Sequence, residues 1–229
     1  MTRKLFLLGG SDAFDVTADE FVPAAGGRDA RIALLLQGGP GTQKHLPEYV
    51  RPWTQRSVSR YDVIMPDEYG KLNLDDVRAK LANATGIFIG GGHTGTYRRL
   101  YATEPVRSIL RERYADGIPI AGCSAGALIA PTICTFHPGE SDDNSLVAEG
   151  LGLIDGLIIG VHFTSQNTLP DLLTAMAASR TKHVWGIDDG ACVVFDDEKF
   201  ARVLGQAAYE IVMTDFENKS YGFVKVTQN

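Results

Sequence analysis

The chain has 229 residues, of which 44% are hydrophobic and 22% are charged, and its formal net charge at pH 7 is −6. This balance excludes a disordered chain and supplies enough apolar residues for a large core. The negative net charge argues against a nucleic-acid partner, since nucleic-acid binders usually carry a basic patch. The densest basic cluster here, between residues 98 and 113, is interleaved with acidic residues. No apolar run approaches the ~18 residues of a membrane span, so we expect no membrane partner.

The cysteines and the N-terminal residues indicate a cellular location. Cys123, Cys134 and Cys192 lie in apolar surroundings without a C-x-x-C pair, which favours a reducing compartment, no disulfide framework and no zinc site. The apolar stretch after Arg3 and Lys4 is too short for a signal peptide. The sequence therefore predicts a cytoplasmic protein without a metal or other cofactor.

In the first part of the chain, short apolar strands alternate with glycine-rich turns and helices. Strands are predicted over residues 4–8, 31–36, 62–65, 86–89 and 118–121. Helices are predicted over residues 45–57, 75–81 with Asn73 or Asp75 as the N-cap, 94–114, and from Ser124 onward. Continuously apolar strands separated by helices are typical of a parallel sheet that is covered on both faces.

The last part of the chain contains more strands than helices. A strand over residues 157–161 and a helix over residues 169–179 precede strands over 184–187, 191–195, 201–204, 209–213 and 221–226. Little helix separates the last four strands, so we expect them to add antiparallel to one edge of the sheet. Without repeats or long linkers, one α/β domain over residues 1–229 is predicted, and exposed edge strands near its end permit a homodimer.

The strongest motif is Gly122-x-Ser124-x-Gly126, which lies between a predicted strand and a predicted helix. This context is typical of a nucleophile elbow, in which small residues on either side of a strained serine keep strand and helix apart. The Ser124 oxygen would then lie at the positive end of a helix, and the Ala125 amide would donate to an oxyanion. The alternative is that Ser124 is a simple helix N-cap.

Cys123 is a competing nucleophile, since a thiolate at a helix N-terminus is reactive. An elbow centred on Cys123 would be flanked by alanines, whereas Ser124 is flanked by glycines, which tolerate the turn better. We therefore favour Ser124, with Cys123 in the core behind the turn.

A serine nucleophile needs a base, and His162 is the best placed of the five histidines. It ends a strand-like run, and sites in parallel sheets lie at the carboxyl ends of strands. His183 precedes a strand and should lie at the opposite edge, while His45 and His137 fall in polar loops.

The acid that orients the base has several candidates. Asp188 and Asp189 follow the strand over residues 184–187, although an Asp-Gly pair also predicts a tight hairpin turn to the next strand. Glu140, Asp142 and Asp143 are alternatives in the loop after the elbow helix.

A glycine run, Gly90-Gly91-Gly92, follows the strand over residues 86–89 and opens a helix. Amides at this position suit an anion or an oxyanion, so Gly92 is predicted to be the second oxyanion donor. The next two residues, His93 and Thr94, are candidates for substrate binding.

Taken together, these motifs resemble one family. They are Gly90-Gly91-Gly92-His93-Thr94, Gly122-Cys123-Ser124-Ala125-Gly126, Gly150-Leu151-Gly152, His162-Phe163-Thr164 and Gly186-Ile187-Asp188-Asp189. The set looks like the serine peptidases that include aspartyl dipeptidase (dipeptidase E) and cyanophycinase, whose flavodoxin-like sheet is similar to that of class I glutamine amidotransferases. The resemblance implies a triad of Ser124, His162 and Asp189, with Gly92 and Ala125 as the oxyanion hole.

Three positions depart from that pattern. The family usually has glutamate where this chain has Asp189, and asparagine or aspartate where it has His93. Members selective for acidic or β-Asp-Arg substrates carry arginines after the catalytic histidine, whereas residues 165–171 contain none.

The sequence thus predicts a serine hydrolase that cleaves short peptides or small amides through an acyl-enzyme. The alternatives are a Cys123-dependent amidotransferase-like enzyme and a non-catalytic ligand-binding or regulatory protein.

Overall fold

The computed structural model of the chain describes residues 2–39, 41–141 and 143–228. The strands in chain order are β1 (Lys4–Leu8), β2 (Arg31–Leu35), β3 (Arg60–Ile64), β4 (Gly86–Ile89), β5 (Ile120–Cys123), β6 (Ile133–Thr135), β7 (Val147–Glu149), β8 (Leu157–Val161), β9 (His183–Ile187), β10 (Ala191–Asp196), β11 (Lys199–Gly205), β12 (Ala208–Asp215) and β13 (Ser220–Val226). The α-helices are α1 (Phe14–Ala24), α2 (Thr42–Gln55), α3 (Leu74–Asn83), α4 (Thr94–Tyr101), α5 (Val106–Ala115), α6 (Ala125–Leu128) and α7 (Leu169–Ser179). Within the described ranges, no helix is both long enough and apolar enough to cross a membrane.

The main sheet has seven strands in the order β11-β10-β1-β5-β4-β2-β3. The five strands from β1 to β3 in this order are parallel to one another, whereas β10 pairs antiparallel with both β1 and β11. A separate apolar cluster packs on each face of the sheet, which explains why its strands are almost continuously apolar. The predicted α/β class with a mostly parallel sheet is confirmed.

The parallel strands bring several polar loops together at one edge of the main sheet. Gly9 follows β1, Gln37 comes two residues after β2, Gly90 follows β4 and Ser124 follows β5. Because the carboxyl ends of parallel strands share an edge, the loops that carry these residues are neighbours.

The prediction for the last four strands is only partly correct. β10 and β11 do extend the main sheet, but β12 and β13 belong to a second, four-stranded sheet in the order β13-β12-β9-β8. Tyr209, Ile211 and Met213 of β12 are buried with Leu172 and Met176 of α7 in a third apolar cluster. Pairing β12 with β9 buries these side chains against α7, which outweighs simple extension of the nearest sheet edge.

The predicted hairpin between β9 and β10 is wrong. The Asp-Gly turn does form, since the Ala191 amide donates to the Asp188 carbonyl over 2.9 Å. However, β9 pairs with β8 and β12, while β10 pairs with β1 and β11. The turn therefore carries the chain from one sheet to the other and leaves Asp189 beside Gly10.

The predicted helix over residues 94–114 is two helices, α4 and α5. Pro105 lies between them, and proline both lacks an amide hydrogen and clashes with the preceding helical turn. The N-cap of α3 is Asn73, whose side chain accepts hydrogen bonds from the amides of Asp75 and Asp76 over 3.1 and 3.2 Å.

Candidate active site

Ser124 occupies a strained turn between β5 and α6. Its backbone has φ +50° and ψ −112°, a conformation that a non-glycine residue adopts only when its surroundings enforce it. The Ser124 amide is held by the Leu8 carbonyl of β1 over 3.0 Å. Its side chain makes no capping hydrogen bond to α6, so Ser124 is not a simple N-cap.

The glycines on either side of Ser124 are required by close packing. A Cβ atom on Gly122 would lie 2.5 Å from the Gly126 carbonyl oxygen, and one on Gly126 would lie 2.4 Å from the Ile89 carbonyl oxygen. The Gly126 amide also donates to the Gly90 carbonyl over 3.1 Å. The elbow is thus fixed directly against the end of β4.

His162 and Asp189 reach Ser124 from the second sheet. The parallel pairing of β8 with β9 places Val161 opposite Ile187, so the residues that follow both strands lie at the same end. The Ser124 Oγ lies 2.9 Å from His162 Nε2, and His162 Nδ1 is hydrogen-bonded to Asp189 Oδ1. When Nδ1 carries the proton, His162 donates to Asp189 and accepts from the Ser124 hydroxyl.

The second carboxylate oxygen of Asp189 is also held. Ser165 Oγ donates to Asp189 Oδ2 over 2.6 Å. Burial opposes ionisation of Asp189, but the hydrogen bonds from Ser165 and His162 outweigh it and lower the pKa of this carboxyl below its ordinary value. The ionised form of Asp189 is therefore favoured.

The other candidate acids have different partners. Asp188 accepts hydrogen bonds from the amide and hydroxyl of Thr164 over 3.0 and 2.8 Å. Among the described residues, Glu140 has one buried carboxylate oxygen without a partner, and neither it nor Asp143 is hydrogen-bonded to His162. Asp142 lies outside the described residues.

Cys123 is buried in the cluster between the main sheet and α1, and only 3% of it is exposed. Burial raises the pKa of the Cys123 thiol well above its usual range, which keeps the group protonated and unreactive at neutral pH.

The two amides predicted to form an oxyanion hole flank the elbow. Gly91 is in contact with it, since a Cβ atom there would lie 3.2 Å from Ser124 Cβ. Gly92 has φ +151°, a conformation that favours glycine. Within the described part of the chain, the amides of Gly92 and Ala125 make no hydrogen bond, so both are free to donate to a ligand.

The two residues after the glycine run, predicted to bind substrate, differ in their exposure. His93 is exposed and caps α4, since its Nδ1 accepts from the Thr96 amide over 3.2 Å. Thr94, predicted to bind substrate, is only 1% exposed and packs inside the protein, which argues against direct contact with a substrate.

Of the other histidines, His137 has its ring centroid 6.4 Å from that of His162. His45 lies on α2 with its Nδ1 3.1 Å from Glu48 Oε1. His183 begins β9, at the opposite end of the strand from Asp189.

Sequence reasoning did not identify Ser165 or Gln37. Ser165 contacts Asp189 through a loop whose path no local pattern predicts. Gln37 accepts a hydrogen bond from the His93 amide over 2.9 Å. It follows a parallel strand, so the rule that ligands bind at the carboxyl ends of such strands could have identified it.

Two crystal structures share this fold. A peptidase from an acI-B1 Actinobacterium superposes with a TM-score of 0.73 at 18% identity, covering 100% of this chain and 96% of that one. A putative peptidase E protein from Listeria monocytogenes EGD-e superposes with a TM-score of 0.63 at 13% identity, covering 88% and 98%. At these identities the likeness shows the fold alone.

Sequence comparison identifies the family. A cyanophycinase of Trichormus variabilis is 32% identical over 197 residues, which cover 84% of this chain but 66% of that protein. The uncharacterized peptidase YgaJ of Bacillus subtilis is 28% identical over 137 residues, 57% of each chain. The chain thus spans about two thirds of the length of the cyanophycinase. The model of peptidase family S51 matches residues 68–203, more than half of the chain, and the chain therefore belongs to peptidase family S51.

Proposed function

We propose that the protein is a serine peptidase that hydrolyses short peptides or related small amides. The observation that carries this proposal is the continuous hydrogen-bonded series from Ser124 through His162 to Asp189 at a strained elbow. Such a series lets a serine act as a nucleophile, because the histidine accepts its proton and the acid fixes the imidazole tautomer.

The reaction proceeds in two halves. Ser124 Oγ attacks the substrate carbonyl carbon while His162 Nε2 takes the hydroxyl proton, and the amides of Gly92 and Ala125 donate to the oxyanion. The protonated His162 then gives its proton to the leaving amine, which departs as the acyl-enzyme forms. Water, deprotonated by His162, hydrolyses that ester and frees Ser124.

The substrate is proposed to be a short peptide rather than cyanophycin. Relatives bear the names cyanophycinase and peptidase E, but residues 164–179, after His162, contain no lysine or arginine. The members of the resembled family that are selective for β-Asp-Arg substrates carry arginines there.

We propose a cytoplasmic location for the protein. The three cysteines are unpaired and buried, which fits the reducing cytoplasm that the sequence favours.

The function is tested by incubating the protein with a dipeptide library and detecting products by mass spectrometry. We expect cleavage of a subset of dipeptides by the wild-type protein and none by Ser124→Ala. A library left intact by the wild-type protein would contradict the proposed peptidase.

Iodoacetamide is expected to leave the activity unchanged at neutral pH. The Cys123 thiol is buried and its pKa is raised, so the folded protein offers little thiolate to the reagent. Residual activity and the site of alkylation are measured together, with Cys123→Ala as the control that lacks the thiol. Inactivation that tracks alkylation of Cys123 would support the amidotransferase-like alternative instead.

The value of kcat/KM is expected to fall as the pH is lowered. A protonated His162 cannot accept the serine proton, whereas the lowered pKa of Asp189 keeps its carboxylate ionised below the ordinary range of aspartate. Titration of the Asp189 carboxyl should therefore not produce the acidic limb of the pH–rate profile. A flat profile across the acidic range would rule out a histidine base.

A further inference from the structure

A polar cavity lies beside the elbow, between the β2–α2 connection and the glycine run after β4. Its volume is about 270 Å³, and its lining includes Gln37, Gly38, Thr42, His45, Tyr49 and Gly91. We call it the β2–α2 cavity. Gly91 lines this cavity and also contacts the nucleophile, since a Cβ atom on Gly91 would lie 3.2 Å from Ser124 Cβ. The cavity therefore lies next to Ser124.

Gln37 offers the cavity a hydrogen-bond donor in a fixed orientation. Its Oε1 accepts from the His93 amide over 2.9 Å, which leaves the Nε2 group as the free end of the carboxamide. Among the described residues, Gln37 Nε2 has no hydrogen-bond partner. The side chain also lies flat against Gly92, where a Cβ atom would come within 2.6 Å of the carboxamide.

Tyr49 offers a second donor. Its hydroxyl oxygen accepts from the Gly91 amide over 2.9 Å, and within the described ranges its own O–H has no acceptor. Burial raises the pKa of Tyr49 to about 12, so the hydroxyl keeps its proton at neutral pH. The hydroxyl of Thr42, by contrast, already donates to the Gly38 carbonyl over 2.6 Å.

The cavity presents donors without competing acids. None of the described residues that line it carries a carboxylate, and the neighbouring Glu48 pairs with His45 over 3.1 Å. Two donors without acceptors, close to a nucleophile, suit an oxygen-rich acceptor, and a carboxylate provides two such oxygens.

We propose that the β2–α2 cavity is a substrate subsite that binds a carboxylate through Gln37 Nε2 and the Tyr49 hydroxyl. The proposal rests on the proposed peptidase function. The carboxylate comes either from the free C-terminus of a dipeptide or from an acidic side chain, and both offer the same chemistry. In either case its recognition anchors the peptide while the scissile carbonyl lies at Ser124.

The subsite is tested by measuring binding rather than turnover. Calorimetry on the Ser124→Ala variant compares Ala-Ala, which has a free carboxylate, with Ala-Ala amide, which has none, and with Asp-Ala amide, which has only a side-chain carboxylate. We expect at least one carboxylate-bearing peptide to bind about tenfold or more tightly than Ala-Ala amide, as charge-assisted hydrogen bonds imply. The peptide that gains affinity identifies the source of the carboxylate.

Gln37→Glu in the same background keeps an oxygen for the His93 amide but replaces the donor with a negative charge. We expect it to abolish the preference for a carboxylate-bearing peptide over Ala-Ala amide. Gln43→Glu is the matched control, since it adds the same charge at an exposed position of α2 outside the lining.

Equal affinity for all three peptides would overturn the subsite, as would equal loss of affinity from both glutamate variants. Hydrolysis by the wild-type protein is read separately. If the wild-type protein hydrolyses dipeptides but shows no preference for a carboxylate, the subsite is rejected and the peptidase function is retained. A Gln37-dependent preference without hydrolysis by the wild-type protein rejects the peptidase and retains the binding site.

Discussion

Replacing Ser124 with alanine is expected to lower kcat on the order of 10⁶-fold while leaving the fold intact, as loss of a serine nucleophile does in a comparable triad. Among the described residues, the Ser124 side chain is hydrogen-bonded to His162 Nε2, and alanine removes only the hydroxyl, so little packing is lost. The residual rate would come from substrate binding and from the amides of Gly92 and Ala125. Single-turnover kinetics on one cleaved dipeptide measure the loss.

Fluorophosphonate labelling tests the same assignment covalently. We expect intact-mass analysis to show one adduct on the wild-type protein, located at Ser124, and none on Ser124→Ala. Ser108→Ala is the matched control, because Ser108 is an exposed serine of α5 that should not affect labelling. An adduct that persists in Ser124→Ala would refute the nucleophile, and a wild-type protein without adduct or hydrolysis would favour the non-catalytic alternative.

The local sequence pattern was sufficient to predict the bounds of strands that are buried on both faces and end in glycine. The predicted bounds of β1 and β4 match the structure, since both strands are apolar after their first residue and run directly into a glycine pair or a glycine run. The same holds for the elbow, where Gly122 and Gly126, two residues before and two residues after Ser124, have no room for a side chain. In these places local sterics and the global fold give the same answer.

The local sequence pattern was insufficient to predict the position of an element that depends on which other element it packs against. Nothing in the sequence of β12 distinguishes an edge position in the main sheet from pairing with β9, because the choice depends on how Leu172 and Met176 of α7 are covered. For the same reason, the contact between Ser165 and Asp189 was not foreseen. It joins two loops that meet only because β8 and β9 are parallel.

The glycine run at residues 90–92 has one feature that the sequence predicts and one that it does not. Its position after β4 was predictable, but the side chains that hold it were not. Gly91 is fixed by Tyr49, which accepts from its amide over 2.9 Å, and by Tyr97, which donates to its carbonyl over 3.1 Å. These tyrosines come from different helices, and their helical spacing identifies them only as core residues.

Replacing Asp189 with asparagine is expected to lower kcat about 10⁴-fold, because the amide favours the wrong imidazole tautomer while preserving the shape of the side chain. His162 Nδ1 would then face a group that can donate, and Nε2 would carry the proton that it should accept from Ser124. Asp189→Glu should retain more activity, because it keeps a carboxylate. The serine peptidases that the sequence resembles usually have glutamate at this position. Steady-state kinetics on the same dipeptide compare the two variants.

Glu140→Gln is the matched control for Asp189→Asn, because it makes the same change from carboxylate to amide at the competing candidate acid. Asp189 contacts His162 and is further held by Ser165, whereas Glu140 has a buried oxygen without a partner among the described residues. Glu140 is not the residue hydrogen-bonded to His162, so we expect kcat of Glu140→Gln to stay near the wild-type value. Loss of activity in Glu140→Gln with full activity in Asp189→Asn would show that Glu140, in the loop after α6, orients His162 instead of Asp189. Such a result would require that loop to move toward His162 when substrate binds, because the Nδ1 position is occupied by Asp189 in the free protein.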